Sequence, residues 1–363
     1  VDAGEDVLVC ADSNQALDNL VAGSSAPGDP DLQSLHAHSQ HGDEEFVLDR
    51  VNASRSRNTV VRTQYNDVPN RANVVAATNS SAATLARSFD LVVLDEATQS
   101  TCTASCIPLT RAKRAVLAGD HQQLPPFSAT EKPPESSYGL SLFEHLYAEG
   151  GVYEGIGLQL KTQYRMHPDI AYFSNREFYD GSLRTGRVVT PLADTPAIEG
   201  YNIGGSVDVV NHSRVNEAEA RLVVHLVQTI LEDVPPEEVG VITPYAAHAR
   251  LLCGLLEDHV DHATAITVDT IDSFQGSEKT AVVISLVRSN AEGDIGFLGR
   301  SNDGPRRLNV ALTRAKRYCA VVGDFHTLRY DTDGKCTELY RDFRDHFEST
   351  GRLNDVDPAF LGV

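Results

Sequence analysis

No apolar run in the 363 residues approaches the roughly 20 needed to cross a bilayer, and no charged-then-apolar signal pattern opens the chain. A cytoplasmic protein with no membrane partner is expected. Cysteine is scarce: Cys10, Cys102, Cys106, Cys253, Cys319 and Cys336 form neither a CxxC pair nor a Cys/His set with zinc spacing. Buried, reduced thiols fit that pattern best. Cys102 and Cys106 could share a helix face but have no further ligands nearby, and His121 and the His36, His38 and His41 cluster lack carboxylates at fixed spacing. Methionine occurs once, as Met166, and the chain starts at Val1, which suggests a piece of a longer polypeptide. Lysine is rare as well, six of 31 basic residues, while Asp outnumbers Glu and the formal charge is −20. An acidic, Lys-poor surface suits a halophilic host, where molar salt screens repulsion over about 3 Å. At such salt any phosphate contact has to be local. Also absent is a Gly-x-x-x-x-Gly-Lys-[Ser/Thr] loop; Gly334-Lys335-Cys336 has the Gly-Lys pair without the glycine loop.

What is present is a series of short, continuous apolar runs: Val7–Ala11, Asn73–Thr78, Leu91–Leu94, Ala115–Ala118, Val239–Thr243, Ala281–Val287 and Tyr318–Val322. Runs of that length without alternation read as strands buried on both faces of a parallel sheet, whose carboxyl ends form a ligand crevice. Four fall before residue 120 and three after 238, so two α/β units are expected, over about 1–155 and 156–330, with an acidic tail over 331–363. The residues from Asn216 to Asp233 carry Leu222, Val223, Leu226, Val227 and Ile230 on one helical face. Residues 23–71 are rich in Ser, Gly, Asp, His and Arg and read as an irregular insertion. Thr185–Asn211 is a second irregular stretch, and a further helix is expected near Glu338–Phe347.

Two strand ends carry chemistry. Phe89-Asp-Leu-Val-Val-Leu-Asp-Glu-Ala-Thr-Gln99 delivers Asp95 and Glu96 at the end of a buried strand. A metal-assisted phosphoryl transfer needs one acid to hold Mg²⁺ through its waters and one base to orient the attacking water. Alone, a strand-end Asp-Glu facing solvent explains the pair equally well. The next strand ends in a polar turn holding Asp120, Gln122 and Gln123, where an amide could sense a γ-phosphate. Two adjacent strands ending this way favour the chemical reading.

The ordered set of motifs resembles a superfamily 1 helicase of the group that includes the nonsense-mediated-decay helicase. The matching segments are Val7–Leu20, Asp95-Glu-Ala-Thr-Gln99, Gly119-Asp-His-Gln-Gln-Leu124, Gln163-Tyr-Arg-Met-His-Pro168, Val268–Glu278 and Arg307–Lys316. The resemblance covers roughly residues 7–324. It implies two RecA-like, P-loop NTPase-type parallel-sheet domains, the first incomplete, with ATP and Mg²⁺ as cofactors and single-stranded DNA or RNA as partner. By the same resemblance Asp95 holds Mg²⁺, Glu96 is the general base and Gln123 contacts the γ-phosphate. Tyr164 stacks on adenine, Arg165 and Arg314 reach the γ-phosphate, Glu278 sits near the ribose, and Gly276 lets the backbone come close. Ser13, Asn14 and Thr270 hold the nucleic-acid backbone. The implied activity is ATP-driven unwinding or translocation, 5′ to 3′, with closure and opening of the two domains driving movement. A catalytically inactive nucleic-acid-binding module is the alternative. Two features depart from the pattern. Asp12 stands where the family usually has Pro, placing an acid beside Ser13 and Asn14. The missing phosphate loop implies that this chain alone is inactive, and that Val7–Ala11 and Leu91–Leu94 lack a neighbouring strand.

Overall fold

The computed structural model describes residues 4–23, 35–36, 46–65, 72–126, 141–147, 157–192, 195–300, 303–330 and 336–361. His38, His41, Phe127 and the Gly334-Lys335 pair lie outside them. The chain divides into two compact units, Val1–Leu158 and Gln159–Val363.

Unit 1 is built on a five-stranded, all-parallel sheet: β1 (Val7–Ala11), β2 (Leu48–Arg50), β3 (Val74–Thr78), β4 (Phe89–Leu94) and β5 (Ala112–Leu117), in the order β2-β3-β1-β4-β5. Successive side chains of a strand point to opposite faces, and both faces are covered here. Leu8, Cys10, Val75, Ala77, Val92 and Leu94 pack in one core. Val9, Ala11, Val74 and Ala76 pack in the other, against Leu17 and Val21 of the Asn14–Ala22 helix. This is why the runs read as unbroken apolar stretches rather than alternating ones.

The strand expected to want a neighbour is not the one that does. β1 lies between β3 and β4, and β4 between β1 and β5, so both have partners on each side. Among the described residues the edge strands are β2 and β5, and on β5 Val116 is half exposed. Lys113 pairs with Asp90 at 2.8 Å and Arg114 with Glu5 along that strand, charges of the kind that blunt an open edge.

The stretch read as an irregular insertion is partly structured. It supplies β2, at the other edge of the sheet, and a short helix, Thr59–Gln64, that buries Val61. Its polar residues conceal this because they satisfy one another. Arg50 is fully buried and donates to Asp18 Oδ1 at 3.0 Å and to Asn14 Oδ1 at 2.7 Å, while Ser56 Oγ donates to Asp18 Oδ2 at 2.6 Å.

Unit 2 holds a six-stranded parallel sheet. Continuing the numbering, β6 (Thr162–Gln163) and β7 (Arg184–Thr185) form a small pair, and β9 (Val207–Val210) and β10 (Ser213–Asn216) a hairpin. The main sheet takes β8 (Ile198–Asn202), β11 (Val239–Thr243), β12 (Thr267–Thr270), β13 (Lys279–Ser285), β14 (Ala315–Gly323) and β15 (Leu353–Asp355), ordered β12-β11-β13-β14-β8-β15. The amphipathic Glu217–Ile230 helix lays Leu222, Val223, Leu226, Val227 and Ile230 against Val239, Val241, Ala281 and Val283.

Two expectations change here. The Gly-rich 185–211 stretch contains β8, an interior strand between β14 and β15. The acidic tail is part of unit 2: the Thr337–Ser349 helix buries Phe343 and Phe347, and Phe343 meets Phe173 with ring centroids 4.9 Å apart. All six cysteines are free thiols, but only Cys10, Cys319 and Cys336 are buried; Cys106 is exposed and Cys102 and Cys253 are intermediate. Among the described residues no helix is long and apolar enough to cross a membrane.

Candidate functional site

In unit 1 the backbone pairing of β4 with β5 continues past both strand ends. Ala118 N–H donates to Leu94 C=O and Ala97 N–H to Ala118 C=O, each at 2.8 Å. Asp95-Glu96 and the turn from Gly119 to Gln123 therefore leave the sheet side by side. Asp95 N–H still bonds Cys10 C=O at 2.8 Å, and Glu96 then turns to φ +50°, a left-handed conformation uncommon outside glycine. Its carbonyl closes the turn by accepting from Gln99 N–H at 2.9 Å. The kink projects two carboxylates from consecutive positions.

Burial, and secondarily the charge of Glu96, push the Asp95 carboxyl up to about 6. Two acids close together with oxygen-only donors make a fitting seat for a hard dication, whose charge would reverse that shift. In the next turn Gln123 Nε2 donates to Asp120 Oδ2 at 3.1 Å, while Asp120 Oδ1 accepts from Gln122 N–H at 2.9 Å. Asp120 thus orients the amide that the resemblance assigned to the γ-phosphate. Asn79, at the end of β3, donates to Ser100 Oγ at 2.9 Å and to Asp12 Oδ1 at 3.4 Å. That gives the acid at position 12 a local partner.

Ser13 and Asn14 are exposed at the end of β1 and have structural work as well. Ser13 Oγ caps the Asn14–Ala22 helix by accepting from Ala16 N–H at 3.1 Å, and Asn14 accepts from Arg50.

In unit 2 the candidates separate to the two ends of the sheet. Thr270 ends β12 and caps the short Ile271–Phe274 helix. Arg165, Glu278, Arg314 and Lys316 gather instead near the amino ends of β13 and β14, not at the carboxyl ends where a crevice was expected. The cause is local. Gln163 Oε1 accepts from the N–H groups of Arg165 (3.0 Å) and Met166 (2.8 Å), and its Nε2 donates to Met166 C=O and Thr185 Oγ1 at 2.9 Å each. The folded loop then docks through His167 N–H on Lys316 C=O at 2.8 Å.

Arg165 pairs with Glu278 and donates to Thr313 C=O at 3.1 Å, and Lys316 Nζ lies 3.1 Å from the other Glu278 oxygen. Burial alone would raise the Glu278 carboxyl, but the two cations outweigh it and hold it down to about 2. The stability Glu278 contributes is therefore complete above the ordinary carboxylate range and is lost as pH falls toward about 2. Thermal melts from pH 6 to pH 2.5 check this: Glu278→Gln is expected to flatten the acid limb that the unsubstituted chain shows.

Arg314 is not presented outward. It is 2% exposed, and its guanidinium donates to Val310 C=O (2.9 Å), Ser277 C=O (3.3 Å) and Thr313 Oγ1 (2.9 Å). Tyr164, by contrast, is 59% exposed, its ring lying against Gly186, where a Cβ would collide with it. Gly276 adopts φ +83° in the turn before Glu278. Met166 and Phe274 are core. Sequence reading did not assign Gln163, Lys316, Asp120 or Arg50. Polar residues one to three positions from the named ones were the only signal available for the first three.

Two AAA domain profiles match the chain, over residues 32–131 and 138–326, the second covering more than half of it. The chain belongs to the AAA-domain family. Among curated relatives of this AAA-domain chain is the ATP-dependent helicase NAM7 of Saccharomyces cerevisiae, 30% identical over 96% of the chain. Another is the DNA polymerase alpha-associated DNA helicase A of Schizosaccharomyces pombe, 29% identical over 98%. The chain spans 39% and 61% of their respective lengths, less than two thirds of either. Among solved structures, the arterivirus nonstructural protein 10 helicase is 14% identical with a TM-score of 0.46, over 88% of this chain and 53% of that one, too distant to bear on function.

Proposed function

We propose that this AAA-domain chain is the motor core of an ATP-dependent nucleic-acid helicase or translocase. The observation that carries the reading is the pairing of β4 and β5 beyond their ends, which sets Asp95 and Glu96 beside the Asp120–Gln123 turn. Hydrolysis of a phosphoanhydride needs an acid to hold Mg²⁺, a base to orient water and a group that registers the γ-phosphate. Asp95, Glu96 and Gln123 have those chemistries. Asp95 would hold Mg²⁺ through its waters, and the ion, when bound, would neutralise charge on the phosphates. The roles that the resemblance implies for Tyr164 toward adenine and for Arg165 and Arg314 toward the γ-phosphate belong to the same proposal. Glu278 keeps the place near the ribose that the resemblance implies, and within unit 2 it pairs with Arg165 and Lys316. Ser13, Asn14 and Thr270 hold single-stranded nucleic acid. Movement is 5′ to 3′, the direction in the printed name of one relative, the 5′-3′ DNA helicase ZGRF1 of Mus musculus. With a phosphate-binding loop supplied, a duplex with a 5′ single-stranded tail should be unwound in the presence of ATP, and one with a 3′ tail left intact. Unwinding of neither, or of both equally, would contradict the assignment.

A second reading, a nucleic-acid-binding module without turnover, is favoured by one observation: Arg314 is committed to three bonds within unit 2. Because the chain has no glycine-rich phosphate loop, we expect it by itself to bind ATP no tighter than about millimolar. Catalysis then requires a loop of that kind from another segment.

The charge of −20 with six lysines carries the proposal of a halophilic host. The melting temperature should rise steadily from 0.1 to 3 M KCl as repulsion is screened. A melting temperature that is flat or falls over that range would overturn this part of the proposal.

A further inference from the structure

One surface of unit 2 departs from the acidic character of the chain. Phe297 is 38% exposed, and the guanidinium of Arg300 lies over its ring, 4.7 Å from the centroid. The Phe297 ring meets that of Tyr245 at 5.4 Å. Arg288, Arg214 and Arg300 all act electrostatically on the Tyr245 hydroxyl. Arg288 is neutralised by Asp294. Arg214 and Arg300 have no carboxylate partner among the described residues: Arg214 bonds only the Ser213 carbonyl, at 3.4 Å, and Arg300 has the aromatic face. With 51 acidic residues against 31 basic ones, two arginines left without an acid beside exposed aromatic surface are unusual.

The patch is held rigidly. Val287 takes φ +74°, a conformation costly for a β-branched residue. Buried Glu219 accepts from Val287 N–H at 2.8 Å, and Asn216 Nδ2 donates to Val287 C=O at 3.2 Å. This turns the chain so that Arg288 reaches the Tyr245 side, where Gly296 sits at φ +62°. Any Cβ at Gly296 would strike the Tyr245 hydroxyl. The β9–β10 hairpin brings Arg214 to the same place, because Ser213 Oγ accepts from Ala247 N–H at 3.1 Å at the start of the Ala246–His259 helix. Tyr245 follows the end of β11 and Arg288 the end of β13, so the patch occupies the carboxyl end of the sheet, as Thr270 does.

We propose that Phe297, Arg300 and Arg214 form a contact for single-stranded nucleic acid, Phe297 stacking on a base while Arg300 and Arg214 bind flanking phosphates. The assignment rests on the helicase reading and deepens it. A base offers a π-face to an aromatic ring whatever its sequence, and phosphate supplies the anion that the two arginines lack. An acidic peptide offers only the second of these. At high salt a contact of this kind retains value, since stacking survives the screening that removes long-range attraction.

The test is fluorescence anisotropy of labelled 15-nucleotide oligo-dT and oligo-U with the chain, from 0.2 to 1 M KCl, folding being checked by circular dichroism at each salt. Arg214→Gln with Arg300→Gln should weaken binding about tenfold or more and flatten the slope of log K against log salt by about 1.4, two phosphate contacts' worth. Phe297→Ala should weaken binding about tenfold with an unchanged slope, and Phe297→Trp should restore it. If the unsubstituted chain binds neither oligonucleotide, the helicase reading itself fails. If it binds, yet these variants keep its affinity and slope, the patch assignment fails and the wider reading stands. Displacement of bound oligonucleotide by poly-glutamate at equal charge concentration would also overturn the assignment, by showing a site that reads anions alone.

Discussion

Glu96→Gln is expected to lower ATP turnover by about 10²–10⁴-fold while leaving nucleotide affinity nearly unchanged. The substitution keeps the shape of the side chain and its hydrogen-bonding reach, but an amide cannot take a proton from water. The backbone at φ +50° is no worse for Gln than for Glu, so the turn to Gln99 and the position of Asp95 should persist. Asp95→Asn should act differently, weakening Mg²⁺-dependent nucleotide binding as well as turnover. The measurement is steady-state ATPase and equilibrium titration with a non-hydrolysable analogue, in a longer polypeptide where this chain is accompanied by a phosphate-binding loop. Near-normal turnover in Glu96→Gln would remove the base from its assigned residue.

The other large effect is on stability, and it can be read on the chain as it stands. Asp18→Ala leaves the fully buried Arg50 with the Asn14 amide oxygen and the Val51 carbonyl as acceptors but no counter-charge. Breaking one half of a buried pair costs about 3–5 kcal/mol, because the remaining charge is desolvated without compensation. That is a large share of the stability of an ordinary domain. Urea unfolding should show unit 1 losing cooperativity or melting first. The double replacement Asp18→Leu with Arg50→Met should recover most of the loss, since apolar residues of similar volume need no partner. A single substitution costing under about 1 kcal/mol would mean that water, not protein, satisfies Arg50.

Seven apolar runs read from the sequence correspond to β1, β3, β4, β5, β11, β13 and β14, and the amphipathic pattern after Asn216 to the Glu217–Ile230 helix. These are the elements whose burial on both faces, or on one stripe, writes itself into composition. β2, β8 and β15 were hidden because their residues are mostly polar or glycine: in Leu48-Asp49-Arg50 only Leu48 joins the apolar core while Arg50 is buried through an ion pair, and Gly200 in β8 leaves no side chain to read. The Asp95–Glu96 and Gln123 placement was legible because adjacent parallel strands must end side by side. The Arg165–Glu278–Lys316 cluster was not, since residues 113 and 38 positions from Glu278 carry no sequence sign of meeting it. The burial of Arg314 was equally silent, because its acceptors are mostly backbone carbonyls, which every residue has.

On the proposed helicase reading, this chain couples nucleotide hydrolysis to a nucleic-acid strand. The most direct test of that coupling is the ATP hydrolysis rate, with and without saturating single-stranded oligonucleotide, when a phosphate-binding loop is supplied. A several-fold rise in rate is expected on adding the strand, a rise that Glu96→Gln abolishes and that Thr270→Ala shifts to higher strand concentration. A rate indifferent to the strand, or no hydrolysis with the loop present and the chain folded, would contradict it.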